Sequence, residues 1–237
     1  MLLPLLALAG AAGHDRDPGW GGGEWGEDDV GGSAQRQPQQ MAAAEALFVR
    51  VLGHRAAAGF RLTLDVTSTG TDWFELRDMP QRPQPPAVGA PPAVGITGNS
   101  GVALASGLHW YLKYACNASI AYGAPLLNAS ALPTRWPPVG STLRRRVESP
   151  FADRFYFNPV AHSYAAAFWD WPRWEAEIDF MAMLGVSLPL ALTGQEFVWD
   201  RVWRERFNLS EVELAEHWPG PAFLVLTTPP PARHMTA

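Results

Sequence analysis

A single cysteine, Cys116, excludes an intramolecular disulfide framework and any cysteine-rich zinc site. Lysine is as scarce: Lys113 is alone among 18 basic residues, the rest being arginines, a bias that codon usage explains. These 18 face 23 acidic residues, giving a net charge of −5. The chain therefore has no electrostatic footprint for a phosphate backbone, and nucleic acid is excluded as a partner. No segment reaches the about 18 uncharged apolar residues that a membrane-crossing helix needs, so stable membrane insertion is not expected.

What is present is a folded composition. The chain has 237 residues, 47% of them hydrophobic and 17% charged, which allows one or two domains with a buried core and excludes disorder throughout. Glycine and proline number 22 each, an excess that predicts long loops and at least one unstructured stretch. Eleven tryptophans are unusual. Most serve core packing in most proteins, but carbohydrate sites also use their flat apolar rings.

The first residues, MLLPLLALAGAAG, are apolar, end in small side chains and are too short to span a bilayer. Residues 1–13 read as the apolar core and cleavage region of a secretory signal peptide, although the usual preceding basic residues are missing. Residues 14–40 are rich in Gly, Asp, Glu, Gln and Pro and read as a disordered linker. Three glycosylation triplets, beginning at Asn117, Asn128 and Asn208, fit a secretory route.

Residues 41–150 read as a small α/β domain. Ala44, Leu47, Phe48, Val51 and Leu52 share one helical face, with Gly53 as the stop. Phe60, Leu62, Leu64 and Val66 alternate with polar residues as in a half-buried strand; Trp73–Leu76 and Val94–Thr97 suggest two more. Residues 98–101 (GNSG) turn the chain into a helix running to Ala115. This strand–turn–helix lacks the Lys-Ser/Thr of a phosphate loop and the full dinucleotide fingerprint, so it is a structural turn. His109 has no ligand partner at helical spacing and reads as a helix-face residue. Ile120–Tyr122 suggests a further strand. Residues 131–150 read as a connector with Arg144, Arg145 and Arg146 as a solvated patch.

From residue 151 the pattern becomes strand–helix–strand–helix. Residues 154–164 read as a strand ending near Asn158-Pro159. Asp170 or Trp171 caps a helix with Pro172 in its first turn and Gly185 as the stop. On that helix Trp174, Ile178 and Met181 share a face, while Arg173, Glu175 and Glu177 read as solvated; Glu175 and Asp179 read as edge residues and not as an acid/base pair. Residues 186–192 (VSLPLAL) suit a buried parallel strand, apart from Pro189. Val198, Trp199, Val202 and Trp203 lie at helical spacing and read as core. Ser210 and Glu213 form a capping box. Such an order opens a parallel α/β layer, whose commonest large closure is the (β/α)8 barrel.

The run from Phe155 to Trp203 carries Asn158, Ser163-Tyr164, Trp169-Asp170-Trp171, Arg173-Trp174-Glu175, Glu177-Ile178-Asp179, Met181-Ala182, Gly194-Gln195-Glu196 and Trp199. It resembles the start of the catalytic barrel of the alpha-N-acetylglucosaminidase family of glycoside hydrolases, and residues 220–224 (GPAFL) extend the likeness. Residues 41–122 resemble that family's amino-terminal domain more weakly, through Gly101-Val102, Gly107-Leu108-His109 and Tyr111-Leu112.

The resemblance implies a small amino-terminal α/β domain followed by the first βα units of an incomplete (β/α)8 barrel, in residues 151–226, with a divergent tail at 227–237. It implies retaining hydrolysis of terminal alpha-linked N-acetylglucosamine in a glycan of the heparan sulfate type, in the lysosome, without cofactor or metal. Two glutamates on later barrel strands would act as nucleophile and acid/base, so no catalytic residue is expected in this chain, which reads as truncated. Asn158, Val160, Tyr164 and Glu196 are the candidate substrate-binding residues. The family has a cysteine where Val160 stands and an aromatic residue where Leu226 stands. A non-catalytic sugar-binding fragment and an inactive truncated product are the alternatives; the sequence fixes no oligomeric state.

Overall fold

The computed structural model describes residues 33–67, 70–80, 93–123, 125–128, 130, 132–158, 165–191 and 195–217. The expected signal peptide, the divergent tail and the end of the strand read at 154–164 lie outside them. The described residues fall into two units. One comprises those up to Arg154 together with Glu175–Leu188; the other comprises Phe155–Trp174 and those from Pro189 onward.

The first unit begins with helix α1, Ser33–Leu52. It starts inside the stretch read as linker, and Pro38 sits within it. Ala44, Leu47, Phe48 and Leu52 form its buried face, as their spacing requires. Gly53, at a φ of 80°, ends it, and the single turn α2, His54–Ala57, follows.

Strands β1 (Phe60–Leu64), β2 (Trp73–Asp78) and β3 (Val94–Gly98) come next, then helix α3 (Gly101–Ala115), the turn α4 (Gly140–Leu143) and strand β4 (Arg146–Glu148). The sheet order is β1-β3-β2-β4. β1 runs parallel to β3, while β2 is antiparallel to both β3 and β4. Leu62 and Leu76 flank Ile96 across the central strand. Helix α3 buries Val102, Leu104, Ala105, Leu108, Tyr111 and Leu112. Its close approach depends on Gly107, where an added Cβ would lie 2.7 Å from Cγ2 of Ile96. Phe60 closes the core with edge contacts to Phe48, Tyr111 and Trp136 at centroid distances of 4.8–5.6 Å.

The connector read at 131–150 contains β4, which the sequence reading missed. Arg144, Arg145 and Arg146 are all exposed, as the solvated-patch reading expects, and two of them also have partners. Arg144 reaches Asp78 at 2.8 Å, and the guanidinium of Arg146 sits 4.1 Å from the Trp73 ring centroid. Residues 120–122 form no strand; Ala121 makes one loop hydrogen bond to the carbonyl of Leu126.

Strand β5 (Phe155–Tyr156), a 3-10 turn at Ala165–Phe168, helix α5 (Trp171–Met183), strand β6 (Leu188–Pro189) and helices α6 (Gln195–Phe207) and α7 (Glu211–His217) complete the described residues. The backbone N–H of Leu188 donates to the carbonyl of Arg154, and that of Leu190 to the carbonyl of Tyr156. Partners advancing in the same direction by equal steps define a parallel pair, as a βαβ crossing demands. Both strands are shorter than the sequence suggested. β6 is also not buried, with Leu188 half exposed. Of the apolar stripe expected to be core on α6, Val198 and Trp199 are 55% and 45% exposed and Val202 and Trp203 half-buried. Its spacing is that of a packed face, but no described element covers it.

Candidate functional site

Barrel sites form at the carboxyl ends of the strands, so the place to look is just beyond β5 and β6. Phe157 follows β5 with a φ of 73°, a region costly for a bulky side chain. Its ring contacts Tyr156 at 4.6 Å, Trp174 at 6.1 Å and Trp169 at 6.4 Å between centroids. Trp169 and Trp174 meet edge to face at 4.9 Å, and the Arg173 guanidinium lies 3.9 Å from the Trp169 centroid. Asp170 fixes the start of α5, accepting from the Arg173 backbone N–H at 3.0 Å. Thus a cluster of aromatic rings gathers around Phe157, and the next residue in the chain, Asn158, is exposed. Apolar rings next to an exposed amide suit a sugar, which offers C–H faces and hydroxyls together.

Of the other candidate residues, Val160 and Tyr164 lie outside the described residues. Glu196 is placed by its backbone in the first turn of α6, where the helix dipole favours a carboxylate, but its side chain is not described. Of the four, the described residues include Asn158, two residues after β5, and the backbone of Glu196 in the first turn of α6.

The carboxylates of α5 depart from the reading of a solvated edge. Glu177 is fully buried and Asp179 is 2% exposed. Arg50 grips Asp179 with two hydrogen bonds, Nε to Oδ2 at 2.8 Å and Nη2 to Oδ1 at 2.6 Å, and approaches Glu175 at 3.8 Å. Burial pushes the Asp179 carboxyl above its ordinary range against the pull of Arg50, and the pairing raises the guanidinium further still. Both oxygens of Asp179 face a fixed cation from the same unit, so it serves structure and not proton transfer.

The turn at 98–101 is likewise structural. Ser100 caps α3, accepting from the Ala103 N–H at 3.0 Å, and the Gly101 N–H donates to Gln40 at 3.0 Å. These amides, which a phosphate would need, are already used. A cleft of about 370 Å³ in the first unit is walled by His109, Trp110, Lys113, Tyr114, Ser149 and Arg154. Arg154 is paired with Asp72, and the Ser149 hydroxyl donates to the Phe151 carbonyl at 2.8 Å. Among the described residues no cluster of His, Cys, Asp and Glu could hold a metal ion, and no helix is long and apolar enough to cross a membrane.

All three glycosylation asparagines are exposed. Asn117 and Asn208 have φ of 52° and 54°, directly after α3 and α6. The N–H of Ala118 reaches the Leu112 carbonyl at 2.9 Å and that of Leu209 the Trp203 carbonyl at 3.2 Å. Each helix thus ends on a left-handed asparagine, where glycine is usual, with the following N–H reaching back six residues to a carbonyl of the last turns. Ser210 and Glu213 make the expected capping box, with Glu213 accepting from the Ser210 N–H at 2.8 Å.

A small four-stranded sheet with helices, followed by a parallel βα pair with an aromatic wall at the strand ends, defines an α/β protein carrying the opening of a glycosidase-type barrel. Comparison with known proteins agrees. The model of the alpha-N-acetylglucosaminidase N-terminal domain matches residues 42–138, and that of the same family's TIM-barrel domain matches residues 154–228. The chain belongs to the alpha-N-acetylglucosaminidase family. It is 36% identical to the human alpha-N-acetylglucosaminidase over 82% of its own length. A Clostridium perfringens family 89 glycoside hydrolase, solved in complex with PUGNAc, is 33% identical over 83% of the chain with a TM-score of 0.69. A doubly Glu-to-Gln substituted form of that bacterial enzyme, bound to its substrate GlcNAc-alpha-1,4-galactose, gives 0.68 at the same identity. The chain spans 24% of the human protein and 20% of the bacterial chain.

Proposed function

We propose that residues 41–150 and 151–226 supply the amino-terminal domain and the opening of the catalytic barrel of an enzyme that hydrolyses terminal alpha-linked N-acetylglucosamine. The observation that carries this reading is the tandem match to two domains of one family, in the order in which the two kinds of fold occur along the chain. Hydrolysis with retention needs two carboxyl groups roughly 5 Å apart, one as nucleophile and one as acid/base. In this reading later strands provide both, and the present residues hold the sugar: Asn158 at its hydroxyls beside the Phe157–Trp169–Trp174 wall, with Val160, Tyr164 and Glu196 around the same strand ends. A glycan of the heparan sulfate type is the substrate. A signal peptide at 1–13, a linker at 14–40, N-glycans at Asn117, Asn128 and Asn208, and delivery through the secretory route to the lysosome belong to the same reading.

The test is a chimera in which residues 42–228 replace the matching segment of human alpha-N-acetylglucosaminidase. Turnover of an aryl alpha-N-acetylglucosaminide with retention is the expected result, and Asn158→Ala in that chimera should lower kcat/KM about tenfold to a hundredfold by removing a polar contact to the sugar. The 237-residue chain alone should show no turnover. Hydrolysis by the chain alone, or a folded chimera without activity, refutes the proposal.

A further inference from the structure

Helix α5 follows a barrel strand in sequence, yet Glu175–Leu188 group with the sheet-and-helix unit. The contacts responsible come from three places in that unit. From α1, Arg50 forks onto Asp179 at 2.8 and 2.6 Å and lies 3.8 Å from Glu175. From α3, the Ser106 hydroxyl donates to the Ala182 carbonyl and His109 Nδ1 meets the Met183 carbonyl, each at 3.3 Å. From the loop after α3, the Tyr122 ring meets Phe180 edge-on at 5.8 Å.

These contacts are unequal. The two bonds to main-chain carbonyls are long, and such bonds between neutral groups exchange readily for water. The Arg50 fork is short, bidentate and charge-assisted, and it fixes direction as well as distance. It is also asymmetric in exposure: the Asp179 side chain is 3% exposed and the Arg50 side chain 34%. Losing Arg50 would strand a carboxylate with no access to water, whereas losing Asp179 would leave a guanidinium that reaches solvent. Packing of Ile178, Met181 and Met183 adds burial, but apolar contact is non-directional and tolerates a turn of slippage.

We infer that Arg50 is the latch by which the amino-terminal unit holds α5, making the helix between the two barrel strands a docked part of that unit. The surface that receives it is built from Arg50, Ser106, His109 and Tyr122. The partner it fits is an amphipathic helix with an acidic pair four residues apart beside an apolar face, supplied by the chain itself. The inference does not depend on the catalytic reading, because the latch needs no substrate.

Hydrogen exchange measured by mass spectrometry on the 237-residue chain tests it. Arg50→Met should speed exchange across residues 175–188 roughly tenfold or more relative to the β1 and β3 segments. Arg50→Lys should recover part of that protection, since an ammonium supplies the charge without the fork. Asp179→Asn should speed exchange over the same residues but by less than Arg50→Met, and the double variant should fall well short of the product of the two single effects. Unchanged exchange at 175–188 in Arg50→Met, an equal rise in helix and sheet, or fully multiplicative single effects would overturn the latch. Should Arg50→Met not fold, Asp179→Asn against Arg50→Lys decides: loss of protection confined to 175–188 supports the latch, and unchanged protection there refutes it.

Discussion

His109 Nδ1 lies 3.3 Å from the carbonyl oxygen of Met183. A carbonyl only accepts, so Nδ1 carries a proton and donates to it, while Nε2 lies 3.4 Å from the Ser119 hydroxyl. Burial holds this imidazole below its ordinary value, with the Met183 bond opposing and the Lys113 charge assisting.

A pH dependence follows from that pairing. The folded state resists protonating His109 and the unfolded state does not, so the unfolded chain binds more protons between the lowered folded value and about 6.5. The contribution is complete above that window and is lost as pH falls through the folded value. Urea denaturation between pH 7.5 and 5 should therefore show falling stability on acidification, with a shallower slope in His109→Gln. Asp179 acts with the opposite sign. Its carboxyl is raised, so its term declines as pH rises from the ordinary carboxylate range, nearer pH 4. An identical slope in the variant and the parent would contradict the assignment.

Gly107 permits the contact between α3 and the sheet. In Gly107→Ala the new Cβ would press on Ile96 at 2.7 Å and on the Phe74 ring at 3.3 Å. Overpacking costs about 1–3 kcal/mol, and the better helix propensity of alanine returns up to about 1 kcal/mol. A net loss of about 1–2 kcal/mol is expected in urea midpoints analysed at constant slope. A stabilised variant would mean that the helix can lift away from β3 without cost.

Secretory expression provides a third check. Asn117, Asn128 and Asn208 are all exposed. Intact-mass measurement before and after enzymatic deglycosylation should show three glycans removed. Retention of unmodified asparagine at all three positions would count against the secretory route.

Much of the first unit was legible because its signals are local. The alternation in β1, the turn at 98–101 and the periodicity of α3 each arise within about a dozen residues. The Ser210–Glu213 box was legible for the same reason. β4 was not, since three residues give no periodicity to read. The burial of Asp179 was invisible because its partner Arg50 is 129 residues away, and no local pattern announces a carboxylate turned inward. Trp199 illustrates the converse: its spacing suggested a core residue, yet it is 45% exposed, because spacing alone says nothing about what covers a face. The cluster of rings around Phe157 was not legible, since it depends on the left-handed backbone there, which composition does not reveal.

The left-handed asparagines after α3 and α6 complicate any attempt to study sugar attachment by editing the chain. Exchanging Asn117 or Asn208 for glutamine would erase the acceptor and also place a residue ill suited to positive φ at a helix end. Moving to the third position of the triplet offers no escape, because Ser119 bonds to His109 and Ser210 holds the cap of α7. At these two places the carbohydrate address and the helix terminator are one and the same residue. A destabilised knockout there would report on backbone geometry as much as on a missing glycan, leaving Asn128, which ends no helix, as the position where the two can be told apart.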